Sequence, residues 1–130
     1  MNASQALNAY TNVGVHSAVD GASPHQLIAM LFDGALDRIA SAKGAMERQE
    51  TAKQGALLGK AIAIIDSMRA SLDHEKGGEL AERLASLYDY MERRLLEAGT
   101  SGDSAGLDEV SGLLRQIKSG WDEIPAEFRG

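Results

Sequence analysis

SPHQLIAMLFDGAL, Ser23 to Leu36, governs how the rest of the chain is read. Its opening is a helix start. Ser23 suits the N-cap, and Pro24 suits the first helical position, where a missing N–H leaves nothing unpaired. Gln26, three residues after the cap, completes a capping-box pattern. Leu27 to Phe32 then run without one polar residue. At about 100° per residue such a run circles the whole helix. A surface helix of a small domain needs only one apolar face. The surplus must be covered by another part of the chain, by a second subunit or by a partner.

Working outward, the apolar set Leu27, Leu31, Ala35, Ile39, Ala42 and Met46 carries this helix on to about Gln49. Ile28, Phe32 and Ile39 form a second stripe, with Met30 off both. A second helix is predicted from Thr51 to about Asp73, on Leu57, Ala61, Ile64, Met68 and Leu72, with Leu58, Ile62 and Ile65 alongside. Gly77-Gly78 breaks the chain. A third helix follows from about Glu79 to Glu97 on Leu80, Leu84, Leu87, Met91 and Leu95, supported by Glu79–Arg83 and Asp89–Arg93 pairs one turn apart. Asp103 caps the last helix. Its seam of Leu107, Val110, Leu114, Ile117, Trp121 and Ile124 has true heptad spacing, and Pro125 closes it. Short loops make neighbours antiparallel. The expectation is an all-α, antiparallel up-and-down four-helix bundle over residues 23–124. Residues 1–22 form an N-terminal arm or short helix, and 125–130 a tail.

The 130 residues suffice for one domain with a core, and the net charge of −6 argues against nucleic acid, whose phosphates need a positive surface. The apolar runs fall far short of the roughly 20 residues that span a bilayer. The opening residues lack a basic head followed by an apolar block. A soluble, cytoplasmic protein is expected.

Catalytic and metal chemistry find little support. A di-iron bundle wants Glu-x-x-His on two helices, and none of His16, His25 and His74 has a Glu three residues before it. Carboxylate pairs such as Asp33 and Asp37 read as a solvated face. No glycine-rich phosphate loop precedes a helix. No enzyme, no cofactor and no metal are expected. Gly34, inside the first helix, reads first as a point of close helix packing and second as a point of close approach by another chain. Tyr88 and Tyr90 point about 200° apart on one helix, so one faces inward and the other lines a surface. Methionines at 30, 46, 68 and 91 would suit either core filling or an adaptable groove.

Six stretches carry a resemblance: AYTNVGV (9–15), ASPHQLIAMLFDGA (22–35), KAIAIID (60–66), LDHEKGGELA (72–81), LYDYMERRLLEA (87–98) and LDEVSGLLRQIKSGW (107–121). Together they resemble the FliS family of flagellar secretion chaperones, above all its enteric-type members. Phe32 departs from the tyrosine that many relatives carry there. The resemblance implies a bundle that binds the disordered C-terminal segment of flagellin and keeps it from polymerising. It further implies delivery to the export gate protein FlhA and, in some members, binding of the anti-sigma factor FlgM. The arm around Tyr10 would cover part of the client groove and move aside. On this reading Tyr10, Val13 and Val15 belong to the lid. Ile28, Leu31 and Phe32 belong to the groove, with Tyr88 or Tyr90. The alternative is a structural or regulatory bundle that forms a homodimer through the same apolar surface.

Overall fold

The computed structural model describes residues 6, 8–10 and 23–125. Four helices follow one another: α1 (Pro24–Glu47), α2 (Thr51–Ala70), α3 (His74–Ser101) and α4 (Ser104–Asp122). Each packs chiefly on its two neighbours in the ring α1–α2–α3–α4. The connections at 48–50, 71–73 and 102–103 are too short for anything but antiparallel neighbours. There is no strand among the described residues, and none of these helices is long and apolar enough to cross a membrane.

The start signals work as the sequence implies. Ser23 Oγ accepts from the Gln26 N–H (3.1 Å), and Gln26 Oε1 accepts from the Ser23 N–H (2.9 Å). Asp103 accepts from the Ala105 N–H at 3.0 Å to open α4. Gly102 ends α3 in the left-handed region (φ 71°), where a side chain would be strained.

α3 begins earlier than the sequence predicts. Asp73 caps a turn at 74–77, and Gly78 then leaves helical geometry (φ 53°, ψ −131°) before the helix proper resumes at Glu79. That backbone is open to glycine and strained for any other residue.

The interior stripes are Ile28, Phe32, Ala35, Ile39 and Ala42 on α1, Leu58, Ala61, Ile65 and Met68 on α2, and Ala81, Leu84, Tyr88, Met91 and Leu95 on α3. Leu107, Val110, Leu114 and Trp121 complete the core from α4. On α1 this takes Ile28 and Phe32 from the second stripe read from the sequence and Ala35 and Ala42 from the first, with Ile39 common to both. Leu27 and Leu31 are only partly buried, at the edge of the core. A Cβ on Gly34 would make an ordinary contact, 3.4 Å from Ile64 Cδ1, so the packing of α2 on α1 does not require a glycine there. Ion pairs tie three of the four seams: Lys43–Asp108 (2.9 Å), Arg69–Glu92 (3.4 Å) and Arg94–Glu109 (2.8 Å). The Lys43 and Arg94 pairs are open to solvent and worth little alone, while Glu92 is largely buried beside Arg69; together the three favour one register.

Candidate interaction site

The six-residue apolar run is divided by position around α1. Ile28 and Phe32 are wholly buried, Leu27, Ala29 and Leu31 sit at the core's edge, and Met30 alone of the six stands in solvent, 61% exposed. Ile28 and Phe32, expected on a groove wall, therefore lie in the bundle interior. The geometric reason is one residue of phase: turning the helix by about 100° exchanges Leu27 and Leu31 for Ile28 and Phe32 as the inward pair.

The N-terminal segment makes its own seat elsewhere, where the start of α3 meets the end of α4. The Asp73 N–H donates to the Ala9 carbonyl at 2.8 Å. Gly77 lies directly beneath Ala9, since a Cβ on Gly77 would come within 3.0 Å of Ala9 Cα. Tyr10 is 2% exposed, and its hydroxyl meets that of Tyr88 in a buried hydrogen bond. Its ring stands edge-on to Trp121, centroids 5.1 Å apart at 78°, a favoured aromatic arrangement.

Trp121 joins this seat to α1. Its Nε1–H donates to the His25 carbonyl (2.9 Å), and His25 Nε2 donates in return to the Trp121 carbonyl (2.7 Å). A carbonyl only accepts, so Nε2 carries a proton. The two rings stack, 5° from parallel with centroids 5.0 Å apart. The first turn of α1 and the last turn of α4 are thus clamped by reciprocal bonds.

Electrostatically the seat is apolar and neutral. Burial, then the neighbouring Tyr88, pushes the Tyr10 hydroxyl well above the usual phenol range. Burial raises Tyr88 as well, with the bond from Tyr10 opposing it. Two phenols with suppressed ionisation hold a segment in place without charge. Among the described residues, no group of three or more His, Asp or Glu converges as a metal site would need.

Of the residues singled out from sequence, the structure brings Tyr10 and Tyr88 together. Tyr90 takes the opposite face of α3, exposed, donating to Glu109 at 2.5 Å. Leu31 is half-buried at the edge of the core. Val13 and Val15 lie outside the described residues. His25 and Trp121 were not singled out as site residues. The heptad seam ending in Trp121 could have flagged the indole, because a buried Trp must find a partner for its N–H.

The sequence that builds this seat and the four-helix body has relatives among known proteins. The family model described as flagellar protein FliS matches residues 6–127, almost the whole chain and both sides of this seat. The chain belongs to the FliS family. It is 52% identical over 124 residues to the flagellar secretion chaperone FliSB of Pseudomonas aeruginosa, covering 95% of this chain and 98% of that one. It is 48% identical over 125 residues to the flagellar secretion chaperone FliS of Salmonella typhimurium, covering 95% and 93%. The likeness reaches the Bacillus subtilis FliS, 33% identical over 116 residues, covering 89% and 85%. Chaperone is the class that these FliS relatives' names give, and a chaperone acts by binding.

Proposed function

We propose that this protein is a cytoplasmic export chaperone for flagellin. It holds the disordered C-terminal segment of flagellin on its apolar surface, keeps it from polymerising and carries it to the export gate protein FlhA. The observation that carries this reading is the seat of Ala9 and Tyr10 on the bundle. A short stretch fills an apolar site between α3 and α4, with Ala6, Ala9 and Tyr10 each 2% exposed or less. What one segment of chain can fill, another of like chemistry can fill in its place. Disordered amphipathic segments must bury an apolar face against something, or they bury it against each other. A resident cover lowers the client's apparent affinity without removing the site, which suits a client that must later be released.

In this scheme Tyr10, with Val13 and Val15 after it, is the cover. Tyr88 and Trp121 are the floor, and Ile28 and Phe32 stiffen it from within the core.

The test is a calorimetric titration with a flagellin C-terminal peptide, followed in parallel by circular dichroism and Trp121 emission. One-to-one binding, a negative heat-capacity change, a gain of helix and a change in Trp121 emission are expected. A folded protein that takes no peptide, or takes it with Trp121 unaffected, overturns the reading. A dimer that persists with peptide added would favour self-association instead.

A further inference from the structure

α4 ends without the usual means of ending a helix. Its last turn holds no basic side chain, its C-cap is the acidic Glu123, and Ile124 rather than glycine comes next. A helix C-terminus leaves carbonyls unpaired and carries partial negative charge. The Trp121 carbonyl belongs to that turn. The Ile124 N–H meets it at 3.3 Å, the long end for such a bond. The strong donor comes from another helix: His25 Nε2, in the first turn of α1, reaches the same oxygen at 2.7 Å. α1 thus caps α4.

His25 also holds the ring. Its imidazole lies flat against the Trp121 indole, and the indole Nε1–H ends on the His25 carbonyl. Main chain, ring face and ring N–H of Trp121 are therefore all tied to one residue, itself 5% exposed. Two of these ties come from the imidazole and one from the backbone of residue 25. Replacing the side chain removes the first two and leaves the third, because any residue there keeps its carbonyl. A single bond at Nε1 is a pivot about which the indole can tilt. The imidazole stops the tilt, and Tyr10 meets that same indole edge-on.

We propose that His25 is the positioning residue of the Tyr10 site: it fixes the plane of Trp121 against which Tyr10 seats, and so sets how readily the segment lifts. This role rests on the reading of that segment as a removable cover, and adds what governs its hold. His25 reaches Tyr10 through the indole, so the strength of the cover is set from the first turn of α1, outside the surface that the cover occupies.

The readout is hydrogen exchange at the Asp73 amide, which donates to the Ala9 carbonyl while the segment is seated and precedes α3, remote in sequence from His25. Full-length parent, His25→Ala and His25→Gln are compared without client. His25→Ala should speed Asp73 exchange by about tenfold, the loss of one buried bond and one ring stack, while the core amides of Ile65 and Met91 speed up far less. His25→Gln keeps a side-chain donor for the Trp121 carbonyl and should fall between His25→Ala and the parent. A residue that only joins α1 to α4 would accelerate Asp73 and the core amides by one common factor. That result overturns the proposal, as does an Asp73 amide unchanged in His25→Ala, or a His25→Gln protein no slower than His25→Ala. Should His25→Ala not fold, His25→Gln against the parent carries the same comparison of Asp73 with the core. A flagellin peptide that fails to bind would sink the client reading and leave the exchange result standing. An Asp73 amide indifferent to His25 would sink this role and leave the peptide titration untouched.

Discussion

Removing one hydroxyl from the Tyr10–Tyr88 pair should tighten client binding. Tyr10→Phe leaves the Tyr88 hydroxyl, wholly buried beneath the seated segment, without the partner it has in the parent. An unpaired buried hydroxyl costs about 1–3 kcal/mol. The cost falls on the seated state alone, because lifting the segment lets water reach Tyr88. A client that must displace that segment then binds tighter, by roughly 5-fold to 100-fold. Tyr88→Phe should act in the same direction, leaving the Tyr10 hydroxyl unpaired. Removing both hydroxyls puts two apolar ring edges in contact, which is nearly neutral. The double variant should therefore return towards the parent affinity. Calorimetric titration of all four proteins with the flagellin peptide measures the cycle, and the chain's one tryptophan reports whether the segment is seated. Single variants that bind no tighter than the parent, or a double variant as tight as the two singles combined, would refute a competing cover held by this bond.

Other outcomes follow from the same geometry. Gly77→Ala sets a methyl 2.8 Å from Ala81 Cβ and 3.0 Å from Ala9 Cα, so it should unseat the segment and cost about 1–3 kcal/mol in thermal unfolding. An unchanged Trp121 emission would count against that contact. The seated Tyr10 ionises well above its ordinary 10.0, and the lifted one near it. Seating is thus at full strength below pH 10 and weakens above it, by up to about tenfold per pH unit, measurable by tyrosinate absorbance against Trp121 emission. Burial, then Asp66, raises the Glu92 carboxyl against the pull of Arg69. A raised carboxyl holds its proton better when folded, so stability falls as pH rises from the unfolded value through the folded one. Glu92→Gln should then stabilise at neutral pH by less than about 1 kcal/mol and lose that gain in acid. A lower melting temperature would show that the Arg69 pairing prevails. Asp103→Ala removes the bond to the Ala105 N–H and should cost about 1 kcal/mol in denaturant unfolding.

The bundle was legible where spacing left one answer. α4's heptad seam admits a single inward face, and Trp121, Leu114 and Leu107 take it. Ser23, Pro24 and Gln26 form a start signal made of local bonds alone, so sequence suffices. The phase of the other helices was legible only in part. Ala35, Ile39 and Ala42, Ala61 and Met68, and Leu84, Met91 and Leu95 turn inward as their spacing implies, but elsewhere the inward residue is the neighbour of the expected one: Ile28 for Leu27, Ile65 for Ile64, Tyr88 for Leu87. Which stripe turns in depends on how the helices pack on each other, as where Gly34 meets Ile64. That information is spread over the whole ring. The division of labour between Tyr88 and Tyr90 followed from helical angle. That Tyr10 is the partner of Tyr88 depends on a contact 78 residues apart in sequence, and the His25–Trp121 clamp spans 96. No local pattern encodes either.

Gly78 gives the third helix a joint. The turn at 74–77 presents Gly77 to Ala9, while the helix from Glu79 onward carries Tyr88 to the hydroxyl of Tyr10. Helical geometry is interrupted between them, so neighbouring residues of the N-terminal segment rest on two pieces of helix whose directions are set independently, and the glycine is where the mismatch between the two is absorbed.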